Sequence, residues 1–163
     1  MRALLFPALL SAPAFADTLP PVPADRTRLV VVRESDFELG GVEARVSANG
    51  TKIGSLSNGK VGVFLVPPGD LEVRIASSLS LWGYNDGAKL SAAAGETHYI
   101  DIWPNSMLSF LRRHDPEGPL VGGDGICNGD WCLKSIDAAE AAPLLQKAGL
   151  PLPPKEEPQG VTP

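Results

Sequence analysis

The sequence contains little from which a catalytic centre could be built. Its 163 residues include only two cysteines and two histidines. Gly-x-Ser-x-Gly does not occur, and Gly54-Ser55-Leu56-Ser57-Asn58-Gly59 lies in hairpin context rather than on the strand-to-helix elbow of a serine hydrolase. No lysine follows Gly122-Gly123-Asp124-Gly125, so that stretch reads as a flexible loop and not a phosphate cradle. Around Asp124, Asn128 and Asp130, a calcium loop would need an oxygen ligand where Ile126 stands. No apolar run approaches the roughly 20 residues of a membrane-spanning helix. Acidic residues outnumber basic ones, 19 to 14, for a net charge of −5, which argues against nucleic acid as a partner.

The first segment is informative. Arg2 precedes an apolar run from Ala3 to Leu10, and Ala14-Phe15-Ala16 supplies the small-residue pattern of a cleavage site. Residues 1–16 therefore read as a secretory signal peptide. No cysteine lies near the cut to carry a lipid, so the expected address is the periplasm or the medium, as a soluble chain cleaved near Ala16. Loss of Arg2 takes the net charge from −5 to −6. Behind the signal comes a proline-rich leader at 17–25, then a foldable stretch at 26–149. A proline-rich tail at 150–163 is expected to be disordered, because proline cannot sustain regular hydrogen bonding.

Within the foldable stretch, short apolar or alternating runs separated by turn chemistry predict an all-β fold. Leu29-Val30-Val31-Val32 suits a strand covered on both faces. Val42, Ala44, Val46 and Ala48 alternate with polar residues, and Asn49-Gly50 then turns the chain into Lys52–Leu56. Val61–Val66 is apolar throughout and is expected to be central. Pro67-Pro68-Gly69-Asp70 leads to the alternating Leu71, Val73 and Ile75. Ala88, Leu90 and Ala92 suggest a sixth strand and Thr97–Trp103 a seventh. His98, Ile100 and Ile102 share one face of it, Tyr99, Asp101 and Trp103 the other.

Met107, Leu108, Phe110 and Leu111, within Ser106–Arg113, fit either a last strand or a short helix. Asp137 with Glu140 forms a helix-capping pattern ahead of Ala141, Leu144, Leu145 and Ala148, with Pro143 predicting a kink or a later start. The fold class is thus an antiparallel β-sandwich of about seven strands, Ig-like or PEGA-like, with a short C-terminal helix.

Cys127 and Cys132, with four residues between them in an exported chain, are expected to form a structural disulfide. A redox or zinc role would call for different spacing or further ligands. His98 and His114 have aspartates nearby but no ligand spacing, so no metal and no cofactor are expected. The remaining candidate is aromatic: Trp82 and Tyr84, beside Asn85 and Asp86, lie among loop-forming residues and could contact a partner or cap the core.

Four cues together mark a resemblance: Leu29-Val30-Val31-Val32-Arg33, Asn49-Gly50-Thr51-Lys52-Ile53-Gly54, Phe64-Leu65-Val66-Pro67-Pro68-Gly69 and Ala94-Gly95-Glu96-Thr97-His98-Tyr99-Ile100. The stretch Leu29 to Ile102 resembles a group of small exported bacterial domains of unknown function akin to PEGA-type β-sandwich modules. The resemblance implies an envelope protein without enzymatic activity and supplies no catalytic residues. Many members are lipid-anchored, a feature for which this chain lacks the cysteine. The expected function is a non-enzymatic periplasmic interaction or accessory module, whose partner is another envelope protein or a glycan. A glycan- or peptidoglycan-binding module is the alternative, and a metal-assisted hydrolase using the two histidines ranks third. No oligomeric state follows from the sequence.

Overall fold

A computed structural model of the chain describes residues 19–78, 87–106, 126–128 and 130–150. The signal segment, the tail from 151, the segment 107–125 and the aromatic segment with Trp82, Tyr84, Asn85 and Asp86 lie outside the described residues. Among the described residues two β-sheets pack face to face, with one helix at the C-terminal end of the domain. Strands β1 (Thr27–Arg33), β4 (Val61–Val66), β7 (Thr97–Pro104), β8 (Ile126–Asn128) and β9 (Trp131–Ile136) form a five-stranded sheet in the order β4-β1-β7-β9-β8. Strands β2 (Ala44–Ala48), β3 (Thr51–Leu56), β5 (Gly69–Ser77) and β6 (Ala88–Ala92) form a four-stranded sheet in the order β3-β2-β5-β6.

All seven residues of β1 are buried, and the pairing explains why. Leu29 and Val31 point between the sheets, where they meet Val46, Val73, Ile75, Ile100, Ile102 and Leu133. Val30 and Val32 point the other way, into a second apolar cluster with Tyr99 and with Ala141 and Leu145 of helix α1 (Ala138–Lys147). At β1 the five-stranded sheet is therefore covered on both faces, which is the environment that suits a continuous apolar run. Asp137 caps α1 by accepting from the Glu140 amide at 2.8 Å, while the Glu140 carboxylate accepts from the Asp137 amide at 3.1 Å. With that box in place the helix starts at Ala138 and contains Pro143; Ala148 is an exposed C-cap rather than part of the apolar stripe.

Three features differ from the reading of the sequence. First, β1 and β7 run parallel, Arg28 facing Thr97 and Arg33 facing Ile102, so the sandwich is not wholly antiparallel. Alternation reveals that a strand exists, but not which strand will lie beside it. Second, the β8–β9 hairpin adds strands beyond the expected seven. Third, β4 is an edge strand, paired on one side only with β1 among the described residues. Its apolar run divides between two faces: Val66 is buried and Phe64 packs on the core, whereas Val63 and Leu65 are 41% and 52% exposed.

Glycine is required where Phe64 lies. A Cβ on Gly54 would stand 2.5 Å from the Phe64 ring and one on Gly62 at 2.6 Å, so the ring closes the side of the sandwich between β3 and β4 only because both positions are bare. The turn Asn49-Gly50 adopts φ of 48° and 77°, the left-handed values of a tight hairpin.

Cys127 and Cys132 face each other across the β8–β9 register and are joined by a disulfide. Closing so short a loop removes unfolded-state entropy equivalent to about 2 kcal/mol. The native protein should show no free thiol, and reduction should lower its urea midpoint by that amount of stability. A full thiol count without denaturant would contradict the pairing.

Candidate functional site

On β1 the core face runs Leu29, Val31 and then Arg33, a guanidinium where the pattern calls for another aliphatic side chain. Arg33 is fully buried: its side chain has 0% exposure. Its Nη1 donates to the carbonyls of Val42 at 2.6 Å and Leu56 at 2.9 Å, and its Nη2 donates to that of Leu39 at 2.7 Å. Asp36 supplies the opposing charge, with Oδ2 at 3.7 Å from Nη2. The indole of Trp131, itself buried, lies beneath the guanidinium at 4.6 Å. Burial pulls the Arg33 pKa down, and Asp36 pulls it partly back; an arginine remains protonated throughout. The ion thus closes one end of the inter-sheet core, where Trp131 acts as its apolar floor.

The same bonds shape the β1–β2 connection. Asn58 holds Asp36 from both sides, its Oδ1 accepting from the Asp36 amide at 2.9 Å and its Nδ2 donating to the Asp36 carbonyl at 2.6 Å. Asp36 Oδ1 accepts from the Leu39 amide at 2.8 Å, an Asx-type closure, and the Val42 amide donates to Leu39 O at 2.9 Å. Leu39 packs on the core, and the Ser106 hydroxyl donates to Glu38. Amid these restraints Phe37 is 92% exposed. Burying a phenylalanine stabilises a fold by about 1.5–3 kcal/mol, so a loop held this firmly forgoes an available gain. A rigid aromatic projecting into water is the form that interface anchors take.

The residues singled out from the sequence fall differently. The segment carrying Trp82, Tyr84, Asn85 and Asp86 leaves the described residues at Ser78, whose amide donates to Glu43 O at 2.9 Å, and re-enters at Gly87. There, a Cβ on Gly87 would meet Glu72 Cγ at 2.6 Å and Arg74 Cγ at 2.8 Å, so these side chains cross directly over the glycine. They line an open groove of about 710 Å³ together with Asn49, Asp70, Lys89 and Ser91.

Much of its polar capacity is already used. Asn49 Oδ1 accepts from the Glu72 amide at 2.7 Å, Asn49 Nδ2 donates to Asp70 O at 3.0 Å, and Arg74 bonds Glu72 at 2.9 Å. That last bond, with Lys89 nearby, holds the Glu72 carboxyl below its usual range. His98 lies on the interior strand β7, partly exposed, with Nε2 at 3.1 Å from Glu96. His114 lies outside the described residues, and among those described no group of three His, Cys, Asp or Glu is placed to hold a metal.

A comparison with protein-family models finds no match, and one with curated proteins finds none. The site is therefore defined by its own geometry. Reading the sequence missed Arg33 and Phe37, although both left a trace. Arg33 breaks the period-two apolar face of β1, and Phe37 is an aromatic residue in a polar connection that ends in Gly40-Gly41.

Neighbouring substitutions should separate clamp from anchor. Arg33→Ala strips three carbonyls and Asp36 of their donor and should cost about 3–5 kcal/mol in urea denaturation, as removal of one member of a buried ion pair does. Phe37→Ser should stay within about 0.5 kcal/mol of the parent, as expected for an exposed side chain without structural contacts.

Proposed function

We propose that the protein is a non-enzymatic interaction module of the cell envelope, exported through residues 1–16 and docking onto another envelope protein through the Phe37 loop. The observation that carries this reading is the 92% exposure of Phe37 on a connection held by a buried arginine. The disulfide between Cys127 and Cys132 supports an oxidising address. The resemblance of the Leu29 to Ile102 stretch to PEGA-type modules is in keeping with an accessory role in the envelope. A hydrolase built on His98 has less support, since that ring is engaged by Glu96.

A second reading, glycan or peptidoglycan binding, draws support from the groove of Arg74, Lys89 and Ser91, because the segment with Trp82 and Tyr84 re-enters the fold at its rim. Trp and Tyr, together with hydrogen-bonding side chains, are the residue types that suit a sugar surface.

One experiment distinguishes the two. A photo-crosslinking phenylalanine analogue at position 37, in the exported protein in cells, should yield one discrete protein adduct, and the same analogue at Ser91 should not. Phe37→Ser should abolish recovery of that partner while the melting temperature is retained. Absence of any adduct at 37, combined with co-sedimentation of the purified protein with insoluble peptidoglycan, would replace the first reading by the second.

A further inference from the structure

The two sheets present four edges among the described residues, and three of them are blunted against pairing. Strand β3 is bulged at Ile53, where the β2 register jumps from Val46 with Gly54 to Ser47 with Lys52, and Lys52 is exposed. Strand β6 carries exposed Lys89, and β8 has only three residues and is clipped by the disulfide. These are familiar ways of keeping an edge from recruiting another strand.

Strand β4 uses none of them within its length. Val61-Gly62-Val63-Phe64-Leu65-Val66 has no charge and no proline, and its register with β1 is regular from end to end.

The direction of its unused main-chain groups follows from the pairing. Arg33 N donates to Lys60 O at 3.0 Å, which makes Arg33 with Lys60 a hydrogen-bonded pair. Alternation then places Val31 with Gly62 and Leu29 with Phe64 in bonded pairs, and Val61, Val63 and Leu65 in the non-bonded ones. The N–H and C=O groups of Val61, Val63 and Leu65 therefore point outward from the sheet edge. These residues also share the outer face on which Val63 and Leu65 are exposed.

We infer that the β4 edge pairs antiparallel with the β4 edge of a second copy of this chain, extending the five-stranded sheet across a two-fold axis at Val63. In that register Val63 faces its own copy and Val61 faces the partner's Leu65, so each facing pair exchanges two main-chain bonds and places apolar side chains opposite each other. The two-fold makes the contact self-complementary and closed, which gives a dimer rather than a fibre. No like charges oppose each other: Lys60 and its copy lie about 20 Å apart along the strand pair, well beyond the screening length of about 8 Å. Pro67, which has no N–H, ends the pairing at the far side. The occupant is a second copy because the edge matches its own reversed image in both charge and residue type.

A strand pairing of this length sits at the weak end of interface sizes. Sedimentation of the purified protein should show a monomer at about 1 µM and a dimer at roughly 100 µM and above, the range of a weak, area-limited contact. Val63→Lys, at an exposed position, should abolish the dimer with the thermal transition retained. Independently, Val63→Cys should form an intermolecular disulfide on mild oxidation, at a rate at least tenfold above that of Ser91→Cys on the four-stranded sheet. A monomer persisting to 1 mM, an undiminished dimer in Val63→Lys, or equal crosslinking at positions 63 and 91 would each overturn the inference. Failure of the Phe37 reading would leave it untouched, since the pairing uses the main-chain groups of Val61, Val63 and Leu65 and not the Phe37 side chain.

Discussion

Desolvating a guanidinium costs several kcal/mol unless its donors are met, so a buried arginine constrains everything placed around it. Arg33 meets that condition by drawing in carbonyls from three chain positions, Leu39, Val42 and Leu56, and by resting on the Trp131 ring. One side chain thereby joins β1, the β1–β2 connection, the end of β3 and the start of β9. The five-stranded sheet, the four-stranded sheet and the loop between them meet at this charge. Its Nε is buried without a hydrogen bond, a desolvation cost set against the three bonds that fix the loop.

The functional consequence is a division of labour along one connection. Asp36 and Leu39 turn inward to the clamp and the core, and Phe37 between them turns outward. An aromatic on a mobile loop would pay ordering entropy on binding; one on a loop already tied at residues 36, 39 and 42 does not. β4, which starts three residues after Asn58, offers a different kind of contact, made by main-chain groups in a row rather than by one projecting ring.

Much of the fold was legible in the residues because its information is local. Alternation in β2, β5 and β7, the Asn49-Gly50 turn and the Asp137–Glu140 capping box each depend on a few neighbouring residues, and the structure has them in the expected places. The site was less legible. Phe37 reads as one more loop aromatic until the bonds of Asp36 and Asn58, 22 residues apart in the chain, are seen to hold its neighbours. Likewise Val61–Val66 looks like the interior of a sheet, because apolarity on both faces is the mark of a covered strand; its edge position became visible only with the strand order.

The sequence by itself determined that this chain is a β domain with a capped terminal helix and a short cysteine loop, since periodicity, turn chemistry and capping act within a few residues. Only the tertiary structure decided that β1 lies parallel to β7, that β4 stands at an edge, and that Arg33 is buried while Phe37 is not. Neighbour choice and burial depend on contacts between residues far apart in the chain, and no local pattern carries that information.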